Sequence, residues 1–266
     1  MSVGAGGVEY ENKVLRTIKP QIPKIKGLKL KEGSSTAAYA ATEPDLVLLL
    51  NGIQINIEIK QDSKAQMGGG SYNYDMKTKK FKLSAKTVID PAIDIKLQET
   101  LETKTKDLNK LLNYVKQNDA KLLSENVKGL PLTAAKNMWE ELTSEKFLVP
   151  LNAKETVPYS FLHDHYAKKN CYYIQIGGSG LFYLKSNPLN LPIPQLKIPM
   201  AIELRLGRAG SKLNKTLGID VASGNMRAQG RLDSKTKMTS PYSLDKAGDF
   251  LKLFGNISNN DLKKLK

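Results

Sequence analysis

The chain has 266 residues, 40% of them hydrophobic, and 41 Lys and Arg against 26 Asp and Glu give it a formal net charge of +15. That length admits one large domain or two with a real core, and the charge calls for a polyanionic partner, nucleic acid ahead of an anionic surface. The single cysteine, Cys171, excludes an internal disulfide and a cysteine-rich zinc site, no apolar run is long enough to span a membrane, and the N-terminus lacks the apolar core of a secretory signal. The expectation is an intracellular, cytoplasmic protein with no membrane partner.

Residues 4–19 place Val8, Val14, Leu15 and Ile18 at helical spacing. Glu11 lies three after Val8, four before Leu15 and seven before Ile18, so it shares their inward face, whereas Glu9 and Lys13 point elsewhere. An inward acid needs a partner; the other reading is a frayed first turn that leaves Glu11 in solvent. From Lys24 to Lys31 lysine alternates with Ile and Leu, the pattern of an edge strand whose lysines guard it against pairing, with DNA contact as a second use. Ser34 to Thr42 is small and polar and reads as a further strand.

In the stretch from Glu43 to Lys60, Asn51-Gly52 separates two apolar runs, and both residues tolerate positive φ, which predicts a tight hairpin. Leu50 then pairs with Ile53, Leu48 with Ile55 and Leu46 with Ile57, so Asp45 falls opposite Glu58. One face is wholly apolar; the other, expected to face solvent, carries Asp45, Glu58 and Lys60. Opposed Cβ atoms lie roughly 5 Å apart, and like charges there repel unless a cation lies between them. Mg²⁺, which prefers one or two carboxylates plus waters and phosphate oxygens, fits that need. The plainer reading is an exposed strand face on which Lys60 neutralises Glu43.

After Lys60, Gly68-Gly69-Gly70 suits either a backbone that approaches a substrate closely or a plain loop. The order of a phosphate-cradling loop is absent here and at 207–212. Amphipathic helices are expected from Pro91 to Val115, with Leu97 and Leu101 on the apolar stripe, and from Thr133 through Leu142, where Trp139 reads as core. His163-Asp164-His165 places two imidazoles on one face of a strand or on diverging faces of a helix, with no third ligand near in sequence. Strands follow at Cys171 to Ile176, at Leu181 to Leu184 after a glycine turn, and, beyond a proline-rich passage, at Met200 to Leu206. Residues 185–266 hold 15 Lys and Arg against six acids. There Arg205, Arg208, Lys212, Arg227 and Arg231 are the expected DNA contacts, on strands that Gly207, Gly210, Gly218, Gly224 and Gly230 break into loops.

Pro44-Asp45 followed by Glu58-Ile59-Lys60 resembles the signature of the PD-(D/E)XK nuclease superfamily. The acid-x-Lys triplet also begins at Glu11, Asp62, Asp75, Asp94, Glu102, Asp119, Asp233 and Asp261. Only at Glu58 does it end a predicted strand whose partner begins with an acid across from it. The resemblance implies an α/β fold, a restriction-endonuclease-like mixed sheet flanked by helices in αβββαβ order, with Tyr172 to Ile176 completing the sheet after a helical insertion. It implies that Asp45, Glu58 and the Ile59 carbonyl hold Mg²⁺, with Mn²⁺ able to substitute, and that Lys60 orients or deprotonates the attacking water. Glu11, as the acid of a first helix, would hold a second metal or position the water, with Glu9 in reserve, and Gln66 would touch substrate. The implied activity is a restriction-like DNA endonuclease leaving 5′-phosphate and 3′-hydroxyl ends, with a homodimer compatible. The alternatives are an exonuclease or junction resolvase of the same superfamily, or a non-catalytic basic nucleic-acid-binding protein. The expected organisation is a nuclease core over 1–85, a helical insertion over 86–150, a β-rich part over 151–240 that completes the sheet and binds DNA, and a basic C-terminal tail over 241–266.

Overall fold

The structure, a computed structural model, describes residues 5–31, 44–75, 78, 80–84, 91, 94–95, 97–102, 105–106, 153–206 and 225–265. The expected strand over 34–42, the helix over 133–142 and the later part of the first amphipathic helix lie outside them. The chain divides into two compact units, one built from 1–67, 158–200 and 231–266, the other from 68–157 and 201–230.

The first unit opens with helix α1 (Ala5–Ile18), then a 3₁₀ turn (Ile22–Lys24) and the short strand β1 (Leu28–Leu30). The hairpin follows as β2 (Leu46–Leu50) and β3 (Ile53–Lys60). Asn51 and Gly52 take φ of 51° and 82°, the positive pair that a two-residue turn between twisted strands requires. The register is the expected one: Leu50 pairs with Ile53, Leu48 with Ile55 and Leu46 with Ile57. Later in the chain come α2 (Ser160–Ala167), β7 (Cys171–Ile176) and β8 (Gly180–Tyr183), numbered past the strands of the second unit. The sheet order is β1-β2-β3-β7-β8, antiparallel except for the parallel pair β3–β7. Cys171 to Ile176 thus joins the hairpin's sheet, beside the strand that carries Glu58.

The apolar face of the hairpin is the core of this unit. Leu46, Leu48, Leu50, Ile55, Ile57 and Ile59 pack there with Val14, Leu15 and Ile18 of α1. The same core takes Phe250, Leu253 and Phe254 from α3 (Ala247–Phe254) and Leu262 from α4 (Asn259–Lys263). Residues read from their charge as a basic tail therefore close the core. Phe250, Leu253 and Phe254 recur at helical spacing, while the lysines that dominate the charge count are exposed at Lys246, Lys252, Lys263 and Lys264.

The second unit contains β4 (Gly68–Asp75), β5 (Lys80–Leu83), β6 (Ala153–Val157), β9 (Met200–Leu206) and β10 (Asn225–Leu232), the last running into the first unit, in the order β5-β4-β10-β9-β6. Gly68, Gly69 and Gly70 pair with Gly230, Gln229 and Ala228, so the three glycines are strand and not loop, and Gly230 continues β10 instead of breaking it. Ladder hydrogen bonds come from the main chain, so a strand whose pairing is supplied by neighbours tolerates residues that carry no strand signal of their own. Leu97 and Leu101, helical in this unit, are buried as their stripe predicts, and the Tyr72 hydroxyl donates to Asp94 at 2.8 Å. The architecture is mixed α/β, with a mixed sheet and helices flanking it. No helix among the described residues is long and apolar enough to cross a membrane.

Candidate active site

Asp45 stands one residue before Leu46, which pairs with Ile57 at the open end of the hairpin. Its Oδ2 accepts a hydrogen bond from the Ile59 amide at 2.8 Å. Lys60 closes the cluster: its Nζ lies 2.5 Å from Glu58 Oε1 and 3.5 Å from Asp45 Oδ2. The two acids expected to face each other therefore meet at one ammonium. Glu43, the other partner considered for Lys60, lies outside the described residues.

Around Glu58 the polar face of the hairpin is covered, while Gln54 further along it is exposed. Glu58 is 3% exposed and the neighbouring Asn56 7%. The expected solvent face is covered there by α2, which packs on β7 and sets Tyr166 against Glu58, and by the turn after it, where the Lys169 carbonyl accepts from Asn56 Nδ2 at 3.2 Å. Burial raises the Asp45 carboxyl above its usual range, Glu58 adds to the rise, and Lys60 and the Ile59 amide oppose it. Burial alone would lower the Lys60 ammonium, but the charges of Glu58 and Asp45 outweigh it and the net shift is upward. Lys60 is therefore held protonated.

Glu11 reaches this cluster from α1. Burial first, then the charge of Asp45, with Lys60 opposing and Glu58 adding, pushes its carboxyl up to about 7. Glu9 is exposed, as the helical phase requires. Val8, expected to begin the inward stripe, is 40% exposed, and the buried stripe starts at Val14.

α2 carries the two histidines weighed above and adds Tyr166 and Phe161, which the sequence reading did not single out. The Tyr166 hydroxyl donates to the Met67 carbonyl at 2.5 Å, and burial followed by the nearby charges of Glu58 and Asp45 drives its phenol well above the ordinary value. His165 stacks on Phe161 and meets Tyr166 edge-on; burial first, then the charges of Lys169, Lys168 and Lys60, lowers it to about 4. His163 points elsewhere, its Nε2 sitting 2.7 Å from the Leu196 carbonyl, so the two imidazoles diverge as they must on a helix. The Cys171 thiol is buried and its ionisation raised, by burial and then by Glu58. The helical spacing of Phe161, Leu162 and Tyr166 was the available signal.

Does the cluster suit a divalent cation? The second carboxylate oxygen of Glu58, Oε2, is buried without a hydrogen-bond partner, an expensive arrangement for an acid. Asp45 and Glu58 offer hard oxygen donors of the kind that Mg²⁺ takes, one or two carboxylates with waters and phosphate oxygens completing the shell. Among the described residues no group of three or more His, Cys, Asp or Glu is disposed to hold a metal by itself. Among the described residues, then, Asp45 and Glu58 supply two donors of the type that Mg²⁺ takes and no closed site.

Four of the remaining expected residues are among those described. Gln66 is exposed between β3 and β4. Arg231 is engaged within the protein, its Nη1 donating to the Lys64 carbonyl at 2.6 Å. Arg205 lies in β9 and Arg227 in β10, neighbouring strands of the second sheet; Arg208 and Lys212 lie outside the described residues. Comparison with protein-family models, with curated proteins and with solved structures finds no match to the chain in any of the three.

Proposed function

We propose that the chain is a Mg²⁺-dependent DNA endonuclease of restriction-like type, which hydrolyses phosphodiester bonds to 5′-phosphate and 3′-hydroxyl ends. The observation that carries the reading is the convergence of Asp45, Glu58 and Lys60 at the end of one hairpin, half buried or deeper, with Glu11 in electrostatic reach. A buried ion cluster with an unsatisfied carboxylate oxygen is weak as a stability device, since apolar residues of similar volume hold a fold as well or better. Clusters of this kind, with shifted ionisations, concentrate where chemistry is done.

Asp45 and Glu58 would hold the Mg²⁺, with the Ile59 carbonyl beside them. The bound ion would supply Lewis-acid stabilisation of charge on the scissile phosphate. Lys60, held protonated, orients a water and stabilises charge gathering on the phosphate oxygens, which is the orienting role and not the deprotonating one. Glu11 would position the attacking water, whose proton passes to solvent as its oxygen bonds to phosphorus. The P–O3′ bond breaks, and the 3′ oxygen leaves and takes a proton from solvent. The net charge of +15 supplies the long-range attraction for DNA.

One observation favours a non-catalytic nucleic-acid-binding protein: Lys60 already bridges both acids and offsets part of their charge without a metal. Covalently closed plasmid separates the readings. An endonuclease nicks it with Mg²⁺ and not with EDTA, an exonuclease leaves it intact while degrading the linear form, and a binding protein retards both without cutting either. Retardation without cleavage in Mg²⁺ or Mn²⁺ would defeat the proposed activity.

A further inference from the structure

Gln175 is a fully buried amide in β7, paired in register with Ile59 of β3, in the layer where α1 and the C-terminal segment meet. A leucine there would satisfy the core without any polar requirement. The amide instead has a full set of partners drawn from distant parts of the chain. Its Oε1 accepts from the Leu244 amide at 2.9 Å, and its Nε2 donates to the Ser243 hydroxyl at 2.9 Å and to the Tyr10 hydroxyl at 3.0 Å.

The network continues to Asp245. Ser243 Oγ donates to Asp245 Oδ1 at 2.5 Å, and Lys13 Nζ donates to Asp245 Oδ2 at 3.0 Å, with the Tyr10 hydroxyl 3.4 Å from the same oxygen. Tyr10 and Lys13 bracket Glu11 on α1. At the start of the helix, a Cβ on Gly6 would lie 2.5 Å from Gln61 Oε1, and a Cβ on Gly177 would lie 3.0 Å from the Tyr10 ring and 2.0 Å from the Gln61 carbonyl oxygen. The helix is thus seated closely against the residue that follows Lys60 and against the end of β7, and is tied from behind by the 243–245 segment.

We propose that Gln175 and Asp245 are positioning residues that fix α1 through Tyr10 and Lys13, and so set Glu11 against the Asp45–Glu58–Lys60 cluster. The proposal rests on the functional reading above, because Glu11 needs a fixed place only if the cluster holds a cation and directs a water. Fully satisfied buried polar networks confer a unique arrangement more than stability, which is the property a side chain delivered by a separate helix requires. The Gln175 and Asp245 side chains touch none of the metal-holding residues, so any effect of theirs on Mg²⁺ passes through the placing of Glu11.

The test is a double-mutant cycle on the full chain, with Mg²⁺ affinity read by calorimetry and plasmid cleavage read as kcat and KM. Asp245→Ala is expected to weaken Mg²⁺ binding about tenfold and to lower kcat with KM for DNA unchanged. In a Glu11→Gln background it should add no further loss. Equal losses in both backgrounds would mean that Asp245 acts on the fold and not through Glu11, and would overturn the proposal. Should Asp245→Ala fail to fold, Lys13→Met, which removes only the exposed end of the network, must give the same non-additive pattern at smaller amplitude, and additivity there is equally fatal. A wild-type protein that neither binds Mg²⁺ nor cuts DNA defeats the functional reading, and amide exchange then decides the clamp: Asp245→Ala must speed exchange across residues 9–13 about tenfold while β3 stays protected. Uniform acceleration, or none, overturns it.

Discussion

The Asp45 carboxylate is fixed to the main chain of Ile59, its Oδ2 accepting the Ile59 amide hydrogen at 2.8 Å. One acid is thereby locked onto the backbone between the other acid and the lysine, so the spacing of the triplet and the opposition of the strands act together. Lys60 is the cation that bridges the two carboxylates. Lys60→Ala leaves the buried Glu58 and the partly buried Asp45 carboxylates uncompensated and is expected to cost about 3 kcal/mol in urea denaturation and to abolish nicking. The pair Glu58→Leu with Lys60→Met should recover most of that stability and none of the cleavage. If Lys60→Ala melts like wild type, the ion cluster is not buried as described.

Glu11 gives a pH dependence of defined sign. Its carboxyl rises from 4.5 to about 7 on folding, so between those values the folded state holds a proton that the unfolded chain releases. Stability should fall as pH rises through that window and level off above it. Glu11→Gln should flatten the melting temperature against pH, while Glu9→Gln, at an exposed position, should leave the slope in place. Cation binding competes with the same proton, so Mg²⁺ affinity in wild type should increase with pH through about 7. A pH-independent affinity would separate Glu11 from the site.

The hairpin was legible because its information is local. Asn51-Gly52 fixes the turn, the turn fixes the register, and the register brings Asp45 beside Glu58. Glu11 was legible through Leu15 and Ile18 alone, since Val8 lies outside the buried stripe. What could not be read depends on pairing between remote segments. Nothing around Glu58 announces that β7, more than a hundred residues later, covers its flank in parallel, or that Tyr166 packs beside it. The glycines of β4 carry no alternation, and their strand exists through β10 and β5. Charge counts also concealed Phe250 and Phe254, which sit stacked with ring centroids 4.9 Å apart in the core.

DNA attraction should be measurable apart from cleavage. Arg205 and Arg227 sit on adjacent strands of the second sheet, and Arg208 and Lys212 follow Arg205 in sequence. Reversing Arg205, Arg208, Lys212 and Arg227 to Glu should weaken duplex binding and flatten its log-log salt dependence by roughly one unit for each phosphate no longer engaged, with Mg²⁺ affinity unchanged. Arg231 belongs in a separate variant, because Arg231→Glu also removes the bond to the Lys64 carbonyl and disturbs the segment after Lys60. A quadruple variant with wild-type affinity and slope would take these four residues out of the DNA path.

Two glycines test how closely α1 is seated. Gly7 lies in its first turns with nothing within 4 Å of where a Cβ would stand, so Gly7→Ala gains helix propensity at no steric cost and should stabilise by about 0.5 kcal/mol. Gly177 is the opposite case. Its amide donates to the Lys60 carbonyl at 2.9 Å, and its Cβ would stand 2.0 Å from the Gln61 carbonyl oxygen, which belongs to the backbone and cannot swing aside. Gly177→Ala must therefore push the main chain that follows Lys60, costing about 2 kcal/mol and displacing Lys60 from the two acids. Chemical denaturation of both variants, with nicking activity on each, checks the contrast: Gly7→Ala should be at least as stable and as active as wild type, and Gly177→Ala should lose both. If Gly177→Ala keeps full stability, the end of β7 does not approach Gln61 as closely as this geometry requires, and α1 is seated less tightly than the Gly177 and Tyr10 approach implies.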